Sequence, residues 1–248
     1  MRELNYKTEL IIMRSFESKE ADRIYSAFSK ERGKLRFIGI GARKLKAKLA
    51  SGLEPITRAE VFLVNGRLLD RARGVIIFNQ FQAIKANLEK AIVVKRVLQL
   101  LDKMSPEAEA SNEVYEALVD WLFKVEKENL NDNEERLFLF RLLWRIIIWN
   151  GIQPDLFNCI YCQNKIDPQV KYQLALTRGI ICVNCLQAGK NQQASVLIDQ
   201  NVLKMLRIIP VCSKKNLEKI IVKKENLVVV SVVIKQILSF SLGEKVNF

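Results

Sequence analysis

Apolar positions along this chain change their spacing near residue 80, from short alternating runs to steps of three and four. Upstream, residues 8–13, 24–28, 34–41, 61–64 and 68–78 form five strand-like runs. Arg32-Gly33 introduces the third, and Asn65-Gly66 between the last two has the composition of a tight hairpin turn. Five short strands in so little chain predict a small barrel rather than a sandwich, and the five-stranded OB-fold is the obvious candidate. Downstream, Ile84, Leu88, Ala91, Val94, Leu98 and Leu101 share one helical face up to Met104, where Ser105-Pro106 breaks the pattern. Val114, Leu118, Trp121 and Val125 mark a second helix, and residues 134–149 a third that ends at Asn150-Gly151. Residues 196–209 and 217–242 are also predicted helical, although 228–234 is β-branched enough to be a strand on propensity alone.

The predicted class is therefore α+β. An N-terminal OB-fold nucleic-acid-binding domain spans residues 1–80, and an α-helical domain spans 81–248. The helical domain carries a four-cysteine zinc-finger insertion at about 152–190, and the helices on either side of it are expected to pack as one bundle.

That insertion holds Cys159, Cys162, Cys182 and Cys185, two Cys-x2-Cys pairs with 19 residues between them. The spacing is that of a tetrahedral four-thiolate site, and the chain contains no histidine, so any zinc here is held by sulfur alone. Soft thiolates favour Zn2+, and a closed set of four leaves no position for a reactive water, so the expected role is structural. Two disulfides, a redox pair and four packing cysteines are the competing readings. The fifth cysteine, Cys212, is expected to be a small buried apolar residue.

Charge adds direction. The net charge is +13, and it is unevenly spread. Between residues 30 and 48 there are eight basic residues against the single acid Glu31, whereas 102–135 carries eleven acids and three lysines. A phosphate backbone is the simplest partner for the basic face, with Lys34, Arg36, Arg43, Lys44, Lys46 and Lys48 as candidate DNA-binding residues. Residues 43–49 read as a basic loop beside the sheet, as OB-folds use to track a single strand. Tyr25, Phe28, Phe37 and Phe62 are candidate stacking rings, most of them expected in the barrel core.

The start of the chain has no apolar signal segment, and neither apolar stretch, 137–149 nor 227–240, reaches the roughly 20 residues of a membrane span. A soluble, cytoplasmic protein without a membrane partner is expected. Catalysis leaves no mark: histidine, a Gly-x4-Gly-Lys-[Ser/Thr] loop and a Gly-x-Gly-x-x-Gly fingerprint are all missing from the sequence. The reading is a binding protein.

The order of parts then resembles the RecO family of bacterial DNA repair and recombination mediators. The resemblance is carried by Glu31-Arg32-Gly33-Lys34-Leu35, Gly41-Ala42-Arg43-Lys44 and Leu53-Glu54-Pro55 in the first part. In the second it is carried by Gly151-Ile152-Gln153-Pro154-Asp155-Leu156 leading to Cys159, and by Gly179-Ile180-Ile181 leading to Cys182. Gln163 and Arg178 stand where the family commonly has glycine. The resemblance implies binding of single- and double-stranded DNA, annealing of complementary strands without nucleotide hydrolysis, and loading of RecA onto strands coated by single-strand binding protein. It implies RecR and the acidic C-terminal tail of single-strand binding protein as partners, and a nucleoid-associated location in a bacterial cytoplasm. The alternative from another class is an RNA-binding zinc protein of the translation apparatus.

Overall fold

A computed structural model describes residues 5–18, 21–42, 51–127, 133–167, 172–190 and 195–248. The chain divides into two compact units, residues 1–127 with Phe248, and residues 128–247.

In the first unit, strands β1 (Asn5–Ser18), β2 (Asp22–Ser29), β3 (Gly33–Gly39), β4 (Thr57–Val64) and β5 (Asp70–Asn79) close into a barrel of order β1-β2-β3-β5-β4. The five expected strands are all present. Alternation decides the interior: Leu10, Ile12, Tyr25, Ala27, Phe37, Val61 and Leu63 point inward and are almost wholly buried. β1 pairs antiparallel with β4 from Asn5↔Val64 to Ile12↔Thr57, while β3 meets β5 in parallel only at Phe37↔Asp70 and Ile38↔Arg71. The β4–β5 connection runs over residues 65–69 rather than a two-residue turn. Gly66 serves it by proximity, since a Cβ there would lie 1.9 Å from the Leu69 carbonyl oxygen.

Among the described residues, helices α1 (Gln82–Ala86), α2 (Leu88–Met104) and α3 (Asn112–Lys127) follow the barrel in this unit. The Asn87 side chain caps α2 by accepting the Lys90 N–H at 3.1 Å. The apolar stripe of α2, including Val94, Leu98 and Leu101, is buried, and the helix packs on β1 and β2. From α3, Tyr115 stacks on Phe28 with ring centroids 6.4 Å apart, and its hydroxyl donates to Glu9 Oε1 at 2.9 Å.

The second unit contains α4 (Asn133–Trp149), β6 (Asp155–Cys159), β7 (Tyr172–Ala175), β8 (Gly179–Ile181), α5 (Val183–Gln187), β9 (Ser195–Ile198), α6 (Gln200–Ile208), α7 (Lys214–Leu217) and α8 (Lys224–Leu242). Helix α8 packs against α4 and α6. Here the sequence expectation needs two corrections. Residues 195–198 are a strand paired with β7, and the helix starts only after Asp199, whose carboxylate accepts the N–H groups of Asn201 and Val202, each at 2.9 Å. The predicted 217–242 helix is two helices, α7 and α8, separated by residues 218–223. Its β-branched run is helical as expected, because Leu227, Val230, Val233, Ile234, Ile237 and Leu238 form one buried face and packing overrides propensity.

Helix α8 also corrects the length estimate. Its 19 residues, with mean hydropathy 1.5, are long and apolar enough to cross a membrane, yet that buried face is committed to the core of the second unit. Cys212 is half-buried rather than buried.

Candidate metal centre and nucleic-acid interface

The insertion is a small four-stranded sheet of order β6-β8-β7-β9. It brings the two cysteine pairs together from opposite ends. Cys159 closes β6, and the following turn is pinned by Gln163 N–H donating to the Cys159 carbonyl at 2.9 Å. Cys182 follows β8 and is the residue before α5, whose single turn carries Cys185. Strand β8 can lie this close to β6 because Gly179 has no side chain: a Cβ would fall 2.4 Å from the Asp155 carbonyl oxygen, and its φ of +140° excludes other residues.

The four sulfurs all lie within 4.8 Å of one another, and Cys162 Sγ is 3.7 Å from Cys182 Sγ. Four sulfurs each about 2.3 Å from one central ion stand roughly 3.8 Å apart, so the set has the dimensions of a tetrahedral metal site. Their acidities differ sharply. Burial opposes ionisation of Cys159, but the N–H groups of Cys162, Cys182 and Tyr161 outweigh it and bring that thiol down to about 6. Burial and the neighbouring sulfurs push Cys185 up to about 12, and burial raises Cys182 as well. Cys159 is thus the natural first thiolate. Four thiolates this close repel one another, and a dication at the centre is what allows all of them to ionise.

Gln163, at the position where glycine is common in the resembling family, has a φ of +61°. This is left-handed backbone, which glycine adopts freely and a longer side chain adopts at a cost.

The candidate DNA-binding residues fare unequally. Arg43, Lys44, Lys46 and Lys48 lie outside the described residues. Arg36 is half exposed on β3, with its Nε 3.6 Å from Glu107 Oε1. Lys34 is only 9% exposed: its Nζ donates to the Asp102 carbonyl at 2.6 Å and lies 3.3 Å from Asp102 Oδ1. Arg14 Nη1 (3.4 Å) and Ser26 Oγ (2.7 Å) complete the surroundings of that carboxylate. Lys34 is therefore engaged in joining the barrel to α2, through a partner 68 residues away that no local signal reveals. Among the ring candidates, Tyr25 and Phe37 stack inside the barrel with centroids 5.4 Å apart, and Phe28 is covered by α3. Phe62 is on the outer face and 38% exposed.

Both parts of the chain match known protein families. Residues 1–81 match the family described as Recombination protein O N terminal, and residues 85–247 match Recombination protein O C terminal. The chain belongs to the RecO family. Relatives named DNA repair protein RecO cover it almost end to end. One from Dehalococcoides mccartyi (strain CBDB1) is 26% identical over 241 residues, covering 97% of this chain and 92% of the relative. Another, from Thermodesulfovibrio yellowstonii, is 27% identical over 223 residues, or 88% and 85% of the two chains. A third, from Desulforamulus reducens, is 27% identical over 181 residues, or 73% and 68%. Within the RecO frame, the first family match ends where the barrel gives way to helices, and the cysteine cluster falls in the second.

Proposed function

We propose that this RecO-family chain is a recombination mediator. It binds single- and double-stranded DNA, anneals complementary strands without nucleotide hydrolysis, and helps load a recombinase onto single strands coated by single-strand binding protein. The observation that carries the reading is a match to the RecO N-terminal family over a closed five-stranded barrel whose 30–48 segment holds eight basic residues against one acid. Arg36, Arg43, Lys44, Lys46 and Lys48 neutralise phosphates on the strands, which lowers the repulsion that slows pairing. Lys34 supports this face from inside.

The four thiolates hold a structural Zn2+ that fastens the two ends of the insertion, and the protein is not an enzyme. Its protein partners are RecR, the acidic tail of single-strand binding protein and, indirectly, RecA, at the nucleoid in the bacterial cytoplasm. A groove of about 360 Å³ in the second unit supports the acidic-tail assignment, because Met205, Ile208, Ile209 and Ile221 line it and Lys204 and Lys223 flank it.

The test is the rate at which two complementary oligonucleotides pair with this protein and no ATP, both naked and coated with single-strand binding protein. Acceleration in both settings is expected. Binding without acceleration would refute the mediator reading, and a preference for structured RNA over single-stranded DNA would favour an RNA-binding role. With five phosphate contacts, log affinity for single-stranded DNA falls against log salt with a slope of roughly −3.5. Replacing Arg43, Lys44, Lys46 and Lys48 by alanine should remove about 2.8 of it.

A further inference from the structure

Strand β6 and the turn after it carry two aromatic rings in an unusual setting. Phe157 is 60% exposed. The Arg207 guanidinium lies over it, Cζ 4.7 Å from the ring centroid, and is held in place by donating to the Leu156 carbonyl from Nε at 3.0 Å. Four residues on, between the first two cysteines of the cluster, the half-buried Tyr161 ring has Arg178 (Cζ 6.0 Å) and Lys190 (Nζ 5.4 Å) near its centroid. The nearest acid in sequence, Asp155, is occupied: its carboxylate accepts the N–H groups of Phe157 at 2.7 Å and Asn158 at 3.0 Å. That Asx-type turn fixes the backbone beneath Phe157.

We infer that Phe157 and Tyr161, with Arg178 and Lys190, form a second contact for single-stranded nucleic acid, on the metal-binding sheet and distinct from the barrel. Rings paired with cations suit this ligand for two reasons. Every base has a π-face that stacks on an exposed ring whatever the sequence, and the adjacent cations meet the phosphates that link successive bases. A protein ligand of acidic character would use the cations but would have no need of two rings. A contact here would give one chain two strand-binding surfaces, which is what the annealing of two strands requires. Zinc would then act on nucleic acid indirectly, by fixing the turn from which Tyr161 projects.

The inference rests on the DNA-binding reading above, and one set of experiments separates the two. The full-length, metal-loaded protein is irradiated with an oligonucleotide carrying 5-iodouracil, and crosslinked peptides are mapped. Crosslinks at Phe157 and Tyr161 are expected, alongside others in residues 1–127. A Phe157→Ala/Tyr161→Ala variant that keeps its metal should bind an oligo(dT) at least roughly 30-fold more weakly with its salt slope unchanged. An Arg178→Ala/Lys190→Ala variant should instead lose about 1.4 from that slope. Tyr161→Phe should behave as the parent. Wild-type binding with no crosslink at either ring overturns the second contact and leaves the DNA reading intact, as does a metal-loaded double variant of undiminished affinity. A wild-type protein that binds no DNA overturns both.

Discussion

Removing the Asp102 carboxylate should unfold the first unit more readily than any change on its surface. Asp102 is 6% exposed near the C-terminal end of α2, where the helix dipole disfavours a negative charge. Lys34 compensates twice, through the carboxylate at 3.3 Å and through the backbone carbonyl at 2.6 Å, and Ser26 and Arg14 supply the remaining donors. In Asp102→Ala the Lys34 ammonium stays buried with one carbonyl, and the Ser26 hydroxyl, 1% exposed, loses its acceptor. Breaking one side of a buried pair costs about 3–5 kcal/mol. The lone hydroxyl falls within that range, whereas half-exposed Arg14 can turn to water. Trp121 is the only tryptophan in residues 1–127, so urea unfolding followed by its fluorescence, with Trp144 and Trp149 replaced by Phe, reports this unit. At a slope of ~1.5 kcal/mol per molar urea, the midpoint should fall by about 2–3 M. A Lys34→Met/Asp102→Leu variant, which removes both charges, should recover at least half of the loss. A loss below ~1 kcal/mol, or a double variant as unstable as Asp102→Ala, would refute the reasoning. The consequence for function is direct: Lys34→Ala should weaken DNA binding by disordering the barrel, whereas Arg36→Ala should weaken it in a folded protein.

Three further outcomes are expected. The protein as purified should contain one zinc per chain, and Cys182→Ser should lose it; metal-free native protein, or a variant with undiminished metal, would defeat the assignment. Gln163→Gly should relieve the left-handed strain at φ +61° and tighten the metal loop by up to about 1 kcal/mol, offset in part by the greater freedom of glycine when unfolded, read as slower zinc loss to a chelator. Burial first, and the charge of Glu9 second, hold the pKa of the Tyr115 hydroxyl above its ordinary value. A group raised in this way stabilises fully below the unfolded value near 10 and loses its contribution as pH climbs past it. Wild-type stability should therefore fall above pH 10 by about 1.4 kcal/mol per unit more steeply than that of Tyr115→Phe, and parallel curves would contradict this.

The barrel strands and the first three long helices were legible because each holds one hydrophobic period long enough to be distinctive. The clustering of the four cysteines was legible because Cys-x2-Cys spacing encodes a turn as well as a chemistry. The sheet that carries them was not, since β6 to β9 are three to five residues long and too short to show alternation. The start of α6 at its capping residue Asp199 was missed, because the apolar residues of the strand before it suit either structure. Lys34 shows the sharper limit. A lysine in a basic stretch looks like a phosphate ligand, and only a tertiary partner on α2 turns it inward. Phe157 and Tyr161 lie in a short mixed stretch, and the exposure of Phe157 comes from the local geometry rather than from composition.

The barrel is fastened unevenly. One side of its wall is zipped along all of β4, and the other is clasped at two residue pairs between β3 and β5. Such a wall opens at the clasp through small local fluctuations, while the zipped side releases its amides only when the whole unit comes apart. A strand or partner that bridges β3 and β5 draws part of its binding energy from holding the clasp shut. Amide exchange at residues 37–38 and 70–71 is therefore a built-in gauge of occupancy, responding before any change reaches the helices.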